Sequence, residues 1–212
     1  MYKLFYYPRN ASWAIHLILK DLGANFELVF VDRKSESQKS EEYIRLNPTG
    51  RIPTLVDDGN AIFESGAIAL YLSEKHSESK LIPPLGSPDR ALCYQWMFYL
   101  TSTLQPEMMV YFYPEKHTDN SDNYSNIVSA QEFRITQMFS ILDSQLGSKT
   151  YLIGNTMTVC DYFLFTLCHW GSKLKRPPLS FPNLARYLKA LVLRDSFKEV
   201  CAAEGTSLEI YQ

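Results

Sequence analysis

An acid and a hydroxyl stand side by side at Glu64 and Ser65, where a strand-like segment meets a helix-like one. The start of a helix exposes free N–H groups and positive dipole that attract a carboxylate, and Glu64 could pair with an ammonium group. The two charges of a free α-amino acid end have this spacing. Ser65 could equally be a plain helix N-cap with no ligand, so both interpretations stay open here.

A proline lies between a helix-like and a strand-like segment in Arg51-Ile52-Pro53-Thr54. Proline cannot donate to a strand ladder, and a cis bond before it would leave the N–H and C=O of Ile52 facing outward. Those two groups could then pair with an extended peptide. A trans proline that opens an edge strand is the more common arrangement.

The turn from Tyr7 to Ser12 leads from the first strand-like segment into the first helix-like one. A thiolate or another anion at this turn would be stabilised by the Ser12 hydroxyl and by the helix start, and both lower the pKa of a thiol. Ser12 would also serve as an N-cap without any chemistry. None of the three segments is specific alone.

The elements that must position these residues alternate between strand and helix up to about residue 76. The turn Asp57-Asp58-Gly59-Asn60 predicts a hairpin, so the last two strands are antiparallel within a mixed sheet. The predicted strands are Leu4–Tyr7, Phe26–Val31, Thr54–Val56 and Ala61–Phe63, and the predicted helices include Ser12–Leu22 and Ser65–Lys75.

The rest of the chain is predicted to be helical. Residues 77–88 are rich in serine and proline and suit a linker, so we predict domains at residues 1–76 and 89–212. The pattern Thr158-Val159-Cys160-Asp161 resembles a capping box at the start of an apolar, buried helix. The fold class is therefore an α/β domain followed by an all-α bundle.

Composition narrows the possible partners. The 212 residues carry 21 Lys and Arg against 23 Asp and Glu, which gives no reason to expect nucleic acid or an anionic membrane. We expect no secretory signal and no membrane span. The four cysteines show no zinc-site spacing, so we predict no metal site and reduced thiols in a cytoplasmic protein.

In combination and in this order, these motifs resemble the cytosolic glutathione transferase superfamily over nearly the whole chain. The resemblance implies a thioredoxin-like N-terminal domain, an all-helical C-terminal domain, a homodimer and a cis bond before Pro53. It also implies glutathione as co-substrate and no other cofactor. The residues that carry it are Lys3–Tyr6, Asn47–Leu55, Glu64–Ser65, Ala67–Ile68, Tyr71–Leu72, Gly154–Asn155 and Thr158–Asp161.

The same resemblance implies a set of glutathione contacts. Ile52, beside Pro53, would pair through its backbone with the cysteinyl part, while Glu64 and Ser65 would hold the γ-glutamyl group. The glycyl carboxylate would meet Lys34 or Arg51, although each could equally be a solvated surface cation. Arg9 would assist electrostatically near the sulfur.

The residue that activates the thiol is less well defined. At the position of the beta-class cysteine this chain has Ala11, and at the beta-class histidine it has Gln105. Both departures argue against a mixed disulfide with glutathione and leave the class undetermined. Serine classes place their serine near Arg9 or Asn10, and other classes place a tyrosine near the end of the first strand. Our predicted donors are, in order, Ser12, Asn10 and Tyr6.

The second substrate is predicted to be a small apolar electrophile that enters a cleft between the domains. Soft and aromatic side chains suit such ligands. Conjugation of glutathione, a detoxification reaction, is therefore the leading function. Glutathione-dependent peroxide reduction or isomerisation, and a non-catalytic glutathione-binding or partner-binding scaffold, are the alternatives. The predicted pocket residues are Gln105, Met108, Met109, Phe112 and Tyr113.

Overall fold

The computed structural model describes all residues from Met1 to Gln212, and the chain forms two compact units. The first unit contains Met1–Ile82 together with Val192–Ile210 and Gln212. The second contains Pro83–Leu191 and Tyr211. The division after Ile82 falls inside the serine- and proline-rich segment, whereas the C-terminal segment returns to the first unit.

The first unit contains a four-stranded sheet with the strand order β2-β1-β3-β4. β1 pairs in parallel with β2 and antiparallel with β3, and β3 pairs antiparallel with β4. This confirms the mixed sheet that the sequence predicted. The strands are β1 Tyr2–Tyr6, β2 Phe26–Phe30, β3 Thr54–Asp57 and β4 Asn60–Phe63.

The hairpin between β3 and β4 is confirmed as well. Asp57 pairs with Asn60, and the two residues between them have positive φ angles, 47° at Asp58 and 84° at Gly59. A two-residue turn with both φ angles positive matches the twist of its strands, and glycine adopts such a φ without steric penalty. The first three helices of this unit are α1 Ser12–Asp21, α2 Glu41–Leu46 and α3 Ser65–Lys75.

The second unit is helical, as predicted. A π-helical segment, Tyr99–Leu104, joins its first two helices directly. Pro106 follows this segment by two residues, and its missing N–H removes one bond of a regular ladder, which favours such a distortion. No helix of the chain combines the length and apolarity needed to cross a membrane. The helices are α4 Pro88–Phe98, α5 Gln105–Phe112, α6 Tyr124–Leu146, α7 Val159–Trp170 and α8 Pro182–Leu191.

A capping box at the start of α7 confirms the prediction at Thr158–Asp161. The fully buried Asp161 carboxylate accepts the N–H of Thr158 at 2.7 Å and that of Leu152 at 3.0 Å. It also accepts the hydroxyl of Tyr187, on α8, at 2.8 Å. Burial raises the pKa of Asp161, while these hydrogen bonds oppose that rise. One side chain thus fixes a helix start, a loop and a neighbouring helix.

Replacing Asp161 with alanine should lower the free energy of unfolding by at least about 3 kcal/mol, because the Leu152 N–H and the N–H and hydroxyl of Thr158 would each lose a buried acceptor at about 1–3 kcal/mol. Denaturant unfolding measures the difference. The matched control is Asp119→Ala at an exposed site, where a change within about 0.5 kcal/mol is expected. Equal effects of the two variants would contradict the structural role of Asp161.

The C-terminal helix, α9 Asp195–Ala203, packs against α1 in the first unit. Its apolar face is buried, including Phe197 and Val200. Two exposed ion pairs flank this contact, Lys20 with Glu199 and Arg194 with Asp21. The chain that follows α9 therefore reaches the start of α1.

Candidate functional site

The predicted glutathione contacts of the first unit converge at one end of its sheet. Thr54, the first residue of β3, pairs with Phe5 on one side and with Phe63 on the other. Tyr6 pairs with Phe30 at the end of β2. The turn after β1, the loop after β2, the segment before β3 and the start of α3 therefore lie at the same end.

The peptide bond between Ile52 and Pro53 is cis, as predicted. The register of β3 begins at Thr54, so the backbone of Ile52 takes no part in the ladder. Its side chain is buried against Val31 and Tyr43 and holds the residue in place. The N–H and C=O of Ile52 are thereby left for an extended ligand.

A hydrogen-bond network fixes the loop that leads into this bond. The carbonyl of Arg51 accepts the Tyr43 hydroxyl at 2.7 Å and the side-chain amide of Asn47 at 2.8 Å. The Oδ1 atom of Asn47 accepts both the N–H and the hydroxyl of Thr49. Tyr43 and Asn47 are both buried, so the carbonyl just before Ile52 has a rigid support. Burial also raises the pKa of Tyr43.

Replacing Asn47 with alanine should weaken glutathione binding about tenfold and destabilise the protein by about 1–3 kcal/mol, because the Arg51 carbonyl and the Thr49 N–H both lose a buried partner. Calorimetric titration and thermal unfolding measure the two effects. Asn123→Ala is the control, since that side chain is exposed and makes no capping bond. If Asn47→Ala folds and binds glutathione with unchanged affinity, the network does not support the glutathione site.

The junction at Glu64 and Ser65 has an unusual backbone. Glu64 has φ 68° and ψ 109°, a conformation that a residue with a side chain rarely adopts and that is often found at functional sites. Ser65 is the first residue of α3 rather than its N-cap, and no side chain caps the helix. The first backbone hydrogen bond of α3 runs from the N–H of Ile68 to the carbonyl of Glu64. The earlier N–H groups of α3 are therefore available to an anion.

Ser12 is not the N-cap that its position suggested, because Ala11 occupies that position. The Ser12 side chain is fully buried, its hydroxyl donates to the carbonyl of Tyr7 at 3.2 Å, and its oxygen lies 3.4 Å from the Tyr7 N–H. The single hydroxyl proton is thus used inside the turn. This arrangement weighs against Ser12 as a donor to sulfur.

The two other predicted donors are differently placed. Asn10 accepts the N–H of Ala11 through Oδ1 at 2.9 Å, and its amide Nδ2 makes no hydrogen bond. The Tyr6 hydroxyl has no hydrogen-bond partner either, while its ring packs edge-on against His16 and Phe30. Both side chains therefore retain a donor.

Glu204, which the sequence did not single out, holds the same turn from the far end of the chain. It follows α9, is buried, and accepts the N–H of Arg9 through Oε2 at 2.7 Å. Its Oε1 lies 2.8 Å from Nδ1 of His16, which is also buried. Arg9 has φ 59°, so the bond stabilises a strained turn.

The cationic side chains between β2 and β3 differ in whether they form an ion pair. Lys39 and Arg45 form ion pairs with Glu36 and Glu41. The side chains of Lys34 and Arg51, the two predicted for the glycyl carboxylate, are exposed and form no close ion pair, although the backbone N–H and the charge of Lys34 both lower the pKa of Asp32. Arg33 lies over the ring of Tyr7, 5.8 Å from its centroid, and is a further cation that the motifs did not indicate.

The predicted residues for the second substrate lie on α5 and just after it in the second unit. Phe112 is exposed, Met108 is fully buried, and the others are partly exposed. Their role stays a prediction. No group of three or more His, Cys, Asp or Glu side chains is arranged to hold a metal ion, and all four cysteines are buried and unpaired by disulfides.

Comparison with known proteins agrees with this geometry. The family model for the glutathione S-transferase N-terminal domain matches residues 1–74, and that for the glutathione S-transferase C-terminal domain matches residues 102–195. Together they cover strands β1–β4 and most of the helical unit.

Individual relatives extend the likeness to nearly the whole chain. Glutathione S-transferase GstA of Escherichia coli O157:H7 is 28% identical over 205 residues, covering 96% of this chain and 98% of GstA. A sphingomonad glutathione S-transferase, solved in complex with glutathione, is 27% identical with a TM-score of 0.84 and covers 97% of this chain and 100% of that one. Elongation factor 1-gamma 3 of Oryza sativa is 29% identical over 85% of this chain but only 42% of its own length. Because the family models match most of the chain, the protein belongs to the cytosolic glutathione S-transferase superfamily.

Proposed function

We propose that the protein binds reduced glutathione, activates its thiol, and adds the thiolate to small apolar electrophiles. The observation that carries this proposal is the backbone of Ile52, which lies outside the ladder beside a cis proline at the same sheet end as the uncapped start of α3. A tripeptide with a charged γ-glutamyl end fits both features. The relative solved with glutathione supports this ligand.

Each part of glutathione has a chemical counterpart in the first unit. The cysteinyl backbone would exchange hydrogen bonds with Ile52, as in an added strand. The γ-glutamyl carboxylate would lie at the N-terminus of α3 and accept the Ser65 hydroxyl, while Glu64 pairs with the ammonium group. The glycyl carboxylate would meet Lys34 or Arg51, which are both exposed.

For the thiol we now place Asn10 first, Tyr6 second and Ser12 last. The free amide of Asn10 stands at the turn that opens α1, so it can donate to sulfur where the helix dipole also favours a negative charge. Such a donor stabilises the thiolate more than the thiol and lowers its pKa toward neutral. Arg9, one residue earlier, adds positive charge to the same turn.

The reaction then needs only a glutathione thiolate held close to the electrophilic carbon. The sulfur lone pair forms a new S–C bond at the electrophilic carbon, and the leaving group departs with the bonding electrons or a strained ring opens. The predicted residues Gln105, Met109, Phe112 and Tyr113 would contact the electrophile. Because most of these side chains are polarizable or aromatic, they would recognise an electrophile by its shape rather than by polar contacts.

Glutathione affinity and turnover should be measured on the same preparation. Calorimetric titration of the wild type should show binding, and Glu64→Gln and Ser65→Ala should each weaken it about tenfold or more. Asp58→Asn, an exposed acid at the hairpin turn, is the matched control and should bind like the wild type. Turnover is then assayed with aryl halides, epoxides, isothiocyanates and hydroperoxides. Absence of glutathione binding in the wild type would overturn the proposal.

A second candidate is a binding module with little turnover, and the match to elongation factor 1-gamma 3 favours it. The region of that protein that is similar to this chain makes up less than half of its length, and the protein carries another name. The same panel separates the candidates: binding without turnover supports the module. Turnover restricted to hydroperoxides or to isomerisation would support those reactions instead of conjugation.

A further inference from the structure

Two of the four buried cysteines are neighbours within the second unit. Cys93 lies in the middle of α4 and Cys160 is the second residue of α7, and their sulfur atoms are 3.8 Å apart. Both side chains are fully buried. Cys168 and Cys201 are also buried, but neither has a cysteine within contact distance. The chain thus contains one thiol pair and two single thiols in comparable surroundings.

We propose that Cys93 and Cys160 are a redox modification site, at which a hydroperoxide converts the two thiols into a reversible disulfide that joins α4 to α7. This site lies in the second unit, apart from the proposed glutathione contacts, and does not depend on them. Its consequence is a covalent link between two core helices under oxidising conditions.

The distance between the two sulfurs allows this bond. A disulfide requires an S–S distance of about 2.05 Å, so the atoms must approach by about 1.8 Å. A change in χ1 of one cysteine moves its sulfur by more than that without moving the helix backbone. The helices α4 and α7 already pack against each other, so the two cysteines are neighbours before oxidation.

The surroundings distinguish the two thiols. The Cys160 S–H also lies 3.3 Å from the carbonyl of Cys93, which keeps it directed at α4. When Cys160 shares this proton with the Cys93 sulfur, the hydrogen bond lowers the pKa of Cys93, whereas burial raises the pKa of Cys160. Cys93 is therefore the thiol that more readily becomes a nucleophilic thiolate.

The reaction with a hydroperoxide balances in two steps. The Cys93 thiolate attacks the peroxide, the O–O bond breaks, and the alcohol or water leaves, which makes Cys93 a sulfenic acid. The Cys160 sulfur then attacks the Cys93 sulfur, the S–O bond breaks, and water leaves. Overall two thiols are oxidised, one hydroperoxide is reduced, and both thiol protons end in the alcohol and water.

The two single cysteines serve as internal controls for this selectivity. Burial raises the pKa of Cys201 to about 12 and that of Cys168 well above its usual range. Neither has a second thiol that could resolve a sulfenic acid. Because hydrogen peroxide must reach all four sulfurs through opening of the core, the difference between them should come from pairing rather than from exposure.

Peptide mapping of the native protein tests the proposal. The folded chain is treated with hydrogen peroxide, unreacted thiols are alkylated under denaturing conditions, and trypsin is added without reduction. We expect a linked pair of peptides, residues 91–116 with residues 150–173, which disappears on treatment with dithiothreitol. Since the second peptide also contains Cys168, the variant Cys168→Ala should retain the link and Cys160→Ala should lose it.

Thermal unfolding gives a second readout on the same samples. Closing the loop between Cys93 and Cys160 should raise the Tm of the oxidised wild type by about 5 °C, and Cys93→Ala should show no such rise. Fragmentation of the linked peptides in the wild type identifies the bonded sulfur even if a variant does not fold. Four alkylated thiols after oxidation, or a link that persists in Cys160→Ala, would overturn the proposal.

Discussion

Replacing Glu204 with alanine should destabilise the first unit by about 2–5 kcal/mol, because the buried His16 ring and the Arg9 N–H both lose their shared buried acceptor. The carboxylate of Glu204 is held at 2.7 Å by the Arg9 N–H and at 2.8 Å by His16 Nδ1, and both contacts lie inside the unit. Denaturant unfolding measures the loss. Turnover should fall together with stability, since the same turn carries Asn10.

Glu199→Ala is the matched control for this prediction. Glu199 lies on the same helix, α9, and forms an ion pair with Lys20, but its side chain is 57% exposed. An exposed pair contributes at most about 1 kcal/mol, so this variant should resemble the wild type in stability and turnover. Glu204→Gln keeps an acceptor for one of the two donors, so its stability and turnover should lie between those of Glu204→Ala and Glu199→Ala. A stable, fully active Glu204→Ala would show that the turn at Arg9 keeps its conformation without Glu204.

Local sequence signals predict the sheet and several backbone features of the candidate site, because the interactions that define them join residues close together in the sequence. The hairpin turn at Asp57–Asn60 depends on positive φ angles that glycine adopts without penalty, and the capping box of α7 lies within the four residues Thr158–Asp161. The cis bond before Pro53 was uncertain from proline alone and became firm only through the family resemblance. The fold class followed from these local features.

Contacts between distant segments could not be predicted in this way. Glu204 lies 195 residues from Arg9 and 188 from His16, and no local pattern links a buried acid to a particular donor so far away. The apolar face of α9 predicts that it packs, but not against which helix. The π-helical turn before Gln105 also depends on how the bundle accommodates Pro106 rather than on periodicity.

Ser12 shows why a residue type at the correct position is insufficient evidence for a role. The sequence places a hydroxyl at the helix start, yet only the conformation of the preceding turn decides where its proton goes. That turn brings the Tyr7 carbonyl to 3.2 Å from the Ser12 hydroxyl and leaves the amide of Asn10 without a partner. The ranking of donors within this segment therefore changes.

Replacing Asn10 with alanine should lower kcat/KM for conjugation about 10²–10³-fold, the usual effect of removing one aligned donor to a developing or bound anion. Glutathione affinity should change by less than about threefold, because the tripeptide contacts at Ile52, Glu64 and Ser65 stay intact. The pKa of bound glutathione should rise, so the pH profile of kcat/KM should shift toward higher pH. Titration of the thiolate absorbance in the binary complex measures that shift directly.

Asn10→Asp separates the donor from the turn. Aspartate can still accept the Ala11 N–H that Asn10 holds at 2.9 Å, so the turn should persist. It offers sulfur no N–H and adds a negative charge beside the thiolate, so its thiol pKa should rise further than in Asn10→Ala. Tyr6→Phe, measured in parallel, should leave the profile unchanged. A normal profile in both Asn10 variants together with a shifted one in Tyr6→Phe would transfer the role to the strand tyrosine, because its hydroxyl is the other donor at this turn without a partner.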